Sequence, residues 1–176
     1  MGEVKVALGS GWRNYGADWI HVDNGDYEHL DFKIDIKNID IFEDNSIDVI
    51  YASHVLEYFD REEVYNILSN WKKKLVVGGK LYISVPDFEV MAKLYVDKNI
   101  PLHRFLGPIY GKMKLGTDNI FHKTIYDYSS LGELLKFIGM HRVERYNVGD
   151  LIGDIDDHSK AMVDGNMISL NLVCTK

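Results

Sequence analysis

The sequence is short of the residues that staple or clasp a fold. One cysteine, Cys174, occurs in 176 residues, which excludes an internal disulfide and any cysteine-based metal cluster. It lies in the last apolar run and reads as a small buried apolar side chain. The seven histidines include no His-x-x-x-His pair. The acidic group Asp154, Asp156, Asp157 and His158 lacks the glycine and distal glutamate of a calcium loop, so no metal is expected. Proline is scarce, and no linker, repeat or low-complexity tract divides the chain, so residues 1–176 are read as one domain. No apolar run approaches the about 18 residues of a membrane span, so no membrane is expected as a partner. Val4–Leu8 is too short for the apolar core of a signal peptide, and a cytoplasmic location is expected.

Excess positive charge is also missing. The net charge is −7, which argues against a nucleic-acid partner. The balance is uneven. Residues 21–60 hold eleven Asp/Glu against two Lys/Arg, whereas residues 71–123 hold ten Lys/Arg against four Asp/Glu. The basic stretch could face an anionic substrate or simply be solvated surface.

Short apolar runs bounded by turn residues predict buried strands at Val4–Leu8, Trp19–Val22, Phe32–Ile34, Ile47–Ala52, Leu81–Val85, about Arg142–Val148, and Met167–Thr175. Asp60 and Glu63 have capping-box spacing, and Val64, Ile67, Leu68, Trp71 and Leu75 form one stripe of a helix ended by Gly78-Gly79. Further helices are predicted near Phe88–Val96 and at Leu131–Ile138, the latter capped by Ser129 or Ser130. Residues 100–123 lack periodicity and read as a long functional loop, and 149–166 as a polar acidic connection. Alternating strands and helices, ending in two strands with no helix between, indicate an α/β sheet whose last pair is antiparallel.

The first strand stops at Gly9-Ser10-Gly11 and the second at Asp23. Two glycines permit a sharp turn and close approach of a ligand, and the carboxylate can accept from a ribose diol. A dinucleotide fold would want a third glycine at position 14, where Asn14 stands, and a full crossover helix where only Trp12–Asp18 is available. A ligand without phosphates fits better. Asp23, Asp35, Ser53-His54 and Asp87 put a polar group past each successive strand, at the edge where open α/β sheets bind ligands. Ser10 has no Gly-x-Ser-x-Gly elbow around it.

These segments resemble, in order and spacing, the class I (Rossmann-like) S-adenosylmethionine-dependent methyltransferases, in particular the small type 11-like group. Val6–Gly11 is similar to the family's first motif and Trp19–Asp23 to its second. Lys33–Ile36 resembles the acid that meets the adenine, Ser46–Tyr58 the fourth-strand motif, and Leu75–Leu81 the glycine-pair turn, with Val77 where proline is usual. The resemblance implies a single-domain, mostly parallel seven-stranded sheet with an antiparallel last strand. It implies S-adenosylmethionine as cofactor and S-adenosylhomocysteine as product. Leu8, Gly9, Ser10 and Gly11 are then cofactor residues, the last three at the methionine part. Asp23 would hold the ribose, Asp35 and Ile36 the adenine, and Ser53 and His54 would close the site.

Position suggests His54, Asp87 and His122 as catalytic candidates, with 100–123 as a lid over a small-molecule or glycan-type acceptor. The main departure is the first crossover helix, shortened to about a turn. Trp12, Tyr15 or a partner subunit in a homo-oligomer would have to cover the sheet there. Two other readings remain open: a nucleotide-binding oxidoreductase or sugar-nucleotide enzyme, and a non-catalytic adenosylmethionine-binding or partner-binding protein.

Overall fold

A computed structural model describes residues 2–176. In chain order the elements are β1 (Lys5–Leu8), β2 (Trp19–Asp23), β3 (Phe32–Lys33), β4 (Ile47–Ser53), α1 (Val64–Lys74), β5 (Leu75–Pro86) and α2 (Phe88–Asp97). There follow α3 (Leu106–Tyr110), β6 (Met113–Leu115), β7 (Asp118–Ile120), α4 (Tyr128–Phe137), β8 (His141–Arg145) and α5 (Val148–Ile152). The chain ends with β9 (Met162–Val163), β10 (Asn166–Met167) and β11 (Ser169–Thr175).

Seven strands make the central sheet in the order β3-β2-β1-β4-β5-β11-β8. β1 lies parallel to both β2 and β4, with Val6 opposite Ile20 and Ile50. β11 runs antiparallel between β5 and β8. The architecture is the one expected, a mostly parallel seven-stranded sheet with an antiparallel last strand. Strand order reverses between β1 and β4, so a crevice opens at the carboxyl ends of these two strands.

β1 and β4 are buried on both faces, and their side chains alternate between two cores. Val6, Leu8, Ile50 and Ala52 face α1 and α4 through Ile67, Leu68, Trp71, Leu131 and Leu135. Ala7, Val49 and Tyr51 face the other way, onto Tyr15, Trp19, Val148 and Ile152. This second core answers the missing crossover. Trp12–Asp18 contains turns and no helix. Tyr15 is buried as expected, but Trp12 is 57% exposed and covers nothing. The rest of the cover comes from within the chain, from α5 and the connection after it, which the sequence had suggested was irregular.

Several boundaries differ from the sequence reading. Asp60 and Glu63 do make a reciprocal cap, Glu63 Oε1 accepting from the Asp60 N–H and Asp60 Oδ1 from the Glu62 N–H, but the regular helix begins only at Val64. β5 starts at Leu75 and runs through Gly78-Gly79, where its register with β4 shifts and Gly78 takes a φ of +83°, so the glycines make an irregularity within the strand rather than a stop. Asp127, not a serine, caps α4, with Ser130 completing its capping box. The 100–123 segment contains α3 and the β6–β7 hairpin. Among the described residues no helix is long and apolar enough to cross a membrane.

Candidate functional site

Gly9 and Gly11 both have positive φ, +69° and +57°, so the turn after β1 needs glycine twice. At Gly9 space is a second reason. A Cβ there would stand 2.4 Å from Val55 Cγ2 and 3.3 Å from Ile36 Cδ1. The turn is therefore packed from below by the segments that follow β3 and β4. It is tied sideways to β2, since the Gly9 N–H donates to the Val22 carbonyl at 2.7 Å. Asp23 completes the tie, with Oδ2 accepting from the Gly11 N–H at 2.9 Å and Oδ1 from the Gly25 N–H at 2.7 Å. Each carboxylate oxygen keeps a lone pair for a further donor. The two strand tips picked out in the sequence thus form one unit at the carboxyl edge.

The other expected contacts divide. Leu8 is a core side chain, so only its backbone can serve a ligand. Ile36 is buried beneath the glycine turn, and its carbonyl is held by Trp71 Nε1 at 2.7 Å. Asp35 is exposed, its carboxylate accepting from the Lys37 N–H at 3.0 Å. Ser53 is buried, and its hydroxyl donates to Asp157.

Asp157 was absent from the sequence candidates, and it organises this region. Its carboxylate accepts from Tyr15 Oη at 2.7 Å, Tyr51 Oη at 3.0 Å and the Ser159 N–H at 2.7 Å, and faces Arg13 Nε at 3.1 Å. Burial alone would raise its pKa. The hydrogen bonds from Ser159, Ser53 and Tyr15 together outweigh burial and hold it at about 2. No local motif announced it; the signal was only a carboxylate within a polar connection.

On the acceptor side, the structure brings His54 and His122 together through a residue the sequence reading passed over, Glu57. Glu57 is fully buried. Its Oε1 lies 3.2 Å from His54 Nδ1 and 3.8 Å from His122 Nε2, with neither contact aligned as a hydrogen bond. His54 adopts φ +52°, uncommon outside glycine, and its Nε2 lies 3.0 Å from Ser169 Oγ. His122 Nδ1 is 3.0 Å from the Pro108 carbonyl, which can only accept, so Nδ1 carries hydrogen. Nε2 then faces a carboxylate, a contact that is attractive only with a proton between them. Burial lowers the His122 pKa, opposed by the Glu57 charge.

The backbone latches the same pieces, the Lys123 and Thr124 N–H groups donating to the Glu57 carbonyl at 2.8 and 3.2 Å. Gly111 makes room, since a Cβ on it would stand 2.3 Å from His122 Nε2. Asp87 lies at the same edge, but its carboxylate caps α2 by accepting from the Val90 N–H at 3.2 Å and faces Arg145 at 3.5 Å. Glu57 sits inside the fourth-strand motif, one turn from His54, and that spacing was its one sequence signal. A separate cleft of about 450 Å³, lined by Glu3, Lys5, Asp48 and Lys80 among others, opens at the amino ends of the strands, away from these groups.

The comparisons agree with this fold. Residues 13–83 match the family model described as a methyltransferase domain, type 11. This is the Rossmann-like fold of the class I methyltransferases. An S-adenosylmethionine-dependent methyltransferase from Archaeoglobus fulgidus superposes with a TM-score of 0.58 at 16% identity, covering 99% of this chain and 86% of that one. The Burkholderia thailandensis 1,6-didemethyltoxoflavin-N1-methyltransferase, solved with 1,6-didemethyltoxoflavin and S-adenosylhomocysteine, gives 0.57 at 13% identity, covering 98% and 70%. A chain from a Haloferax volcanii complex between the Trm112 methyltransferase activator and its methyltransferase partner gives 0.56 at 16%, covering 99% and 82%. At these identities the likeness is one of fold. No curated protein matches the sequence. In this chain α5 and the Asp157 connection help cover the β1–β4 face beside a first connection without a helix.

Proposed function

We propose that the protein is an S-adenosylmethionine-dependent methyltransferase acting on a small-molecule or glycan-type acceptor. One observation carries the reading: the Gly9–Gly11 turn and Asp23 are joined at 2.9 Å, at the point where strand order reverses. The residues present suit this cofactor. The glycine turn leaves its upper side free of Cβ atoms for the methionine part, with Ser10 beside it. Asp23 retains acceptor capacity for two ribose hydroxyls. Ile36 offers an apolar floor, and Asp35 an exposed carboxylate, for the adenine. The helix-free first connection, with no third glycine, disfavours a pyrophosphate and so the oxidoreductase reading.

The bound cofactor would supply an electrophilic methyl on a sulfonium, a good leaving group. The chain then has mainly to align an acceptor, which can supply several kcal/mol. On the acceptor side the His54 and His122 rings flank the Glu57 carboxylate, groups of the kind that can take a proton from an acceptor that must lose one. Asp87 fixes the start of α2 and the Arg145 side chain at that edge. The lid role of 100–123 is supported by the latch at Lys123 and Thr124 and by the basic balance of 71–123. The acceptor class rests on that balance and on a single domain with no separate recognition unit.

Calorimetry tests the cofactor. One site for S-adenosylhomocysteine and none for nicotinamide dinucleotides is expected, and the reverse would refute the proposal. A labelled-methyl screen over hydroxyl and amine acceptors then tests the class, with transfer expected only to small or sugar-based acceptors.

A further inference from the structure

The segment after α2 is amphipathic, and only one of its sides is used by the fold. Phe105 and Ile109 pack into a core with Met91, Leu94 and Val163. Leu102, Leu106 and Tyr110 recur every four residues along the short 3-10 turn Leu102–Arg104 and α3, so they share the other side. They are 54%, 43% and 61% exposed. The His122 N–H donates to the Tyr110 carbonyl at 2.8 Å, which holds the end of the β6–β7 hairpin beside α3. Met113 and Phe121, also exposed, extend the apolar surface there. Single exposed apolar side chains need no partner, but five on one short segment mark a contact surface.

Charge says what kind of surface it meets. Residues 98–123 hold five Lys/Arg against one Asp, in a chain of net charge −7. Arg104 pairs with Asp164 at 3.0 Å, and Lys123 lies 3.8 Å from Glu63. Lys112 and Lys114 are exposed, pair with no carboxylate among the described residues, and alternate with Met113 along the chain. An anionic surface would attract this segment and repel the acidic remainder, which sets one orientation of approach. A protein partner would need a pocket for each apolar tip and carboxylates placed against the two lysines. A bilayer needs no matched shape: apolar tips enter the acyl boundary while lysine ends stay among the headgroups.

We propose that the face built from Leu102, Leu106, Tyr110, Met113 and Phe121, with Lys112 and Lys114, docks the protein on a bilayer containing anionic lipid. The contact is peripheral and needs no spanning helix. His122 reaches from this segment to Glu57, so docking would bring the acceptor edge close to the headgroups. The proposal stands on surface residues alone and does not depend on the cofactor.

Sedimentation of the full chain with vesicles is the test, using phosphatidylcholine alone or mixed with phosphatidylglycerol. Binding is expected to the mixed vesicles, with much less to phosphatidylcholine and less again at high salt. Lys112→Gln combined with Lys114→Gln is expected to lower partition into mixed vesicles roughly 10- to 30-fold, the joint effect of two lysines at an anionic surface. Leu106→Ser combined with Tyr110→Ser is expected to weaken it too, with native circular dichroism kept because both side chains are exposed. Equal wild-type binding to the two vesicle types, or binding to neither, overturns the proposal without recourse to any variant. So does binding that the folded lysine variant leaves undiminished. A dimer in analytical ultracentrifugation that the Leu106 and Tyr110 replacements abolish, without vesicle binding, would assign the face to a second copy of the chain instead. None of these outcomes bears on cofactor binding, which calorimetry reads separately.

Discussion

Asp157→Asn is the substitution whose consequence follows most directly from the structure. The carboxylate is buried, gathers donors from Tyr15, Tyr51, Ser53 and Ser159, and faces Arg13. Its pKa in the fold is about 2, below the ordinary aspartate value of 3.8. At about 1.4 kcal/mol per unit, that difference is worth roughly 2 kcal/mol of stability at neutral pH. Asparagine keeps the shape but removes the charge and turns an N–H₂ toward at least one donor, so a total loss of about 2–4 kcal/mol is expected. With a urea slope of about 2–3 kcal/mol/M, the unfolding midpoint should fall by about 1 M, read by tryptophan fluorescence at pH 7. Because the pKa is depressed in the fold, the wild type's ionic advantage is complete above the unfolded value and fades as pH falls toward about 2. The gap between wild type and variant should therefore be constant from neutral pH to about pH 5 and narrow between pH 4 and pH 2. An unchanged midpoint at pH 7, or a gap that widens with acid, would refute the view that Asp157 pins the α5 connection onto the sheet.

Other outcomes follow from the same geometry. Asp23→Ala removes the acceptors that join the Gly11 and Gly25 N–H groups and should weaken S-adenosylhomocysteine binding by about 1–3 kcal/mol in calorimetry; unaltered affinity would place the ribose elsewhere. Gly9→Ala forces a Cβ to 2.4 Å from Val55 at positive φ and should cost about 1–3 kcal/mol, seen as a lower melting temperature. In proton NMR the His122 ring should titrate below 6.5, since burial outweighs the pull of Glu57, and Glu57→Gln should lower it further; titration at or above 6.5 in the wild type would contradict the buried placement.

The sequence by itself determined the strand tips. A glycine pair after an apolar run, and an acid after the next, are local patterns, and the turn and its partner strand use them as they stand. The short apolar run Ile47–Ala52 likewise marked β4 as a buried strand. Tertiary structure decided what lay between distant segments. His54 and His122 became neighbours where the Lys123 and Thr124 N–H groups donate to the Glu57 carbonyl, which no spacing in the chain reveals. The sheet face beside the helix-free first connection is covered largely by α5, and Tyr15 and Asp157, 142 residues apart, meet at 2.7 Å to hold that cover in place. Local propensity acts over a few residues, so it could write the turns. The burial of a carboxylate among hydroxyls and a guanidinium depends on where β11 returns to the sheet, and the fold alone sets that.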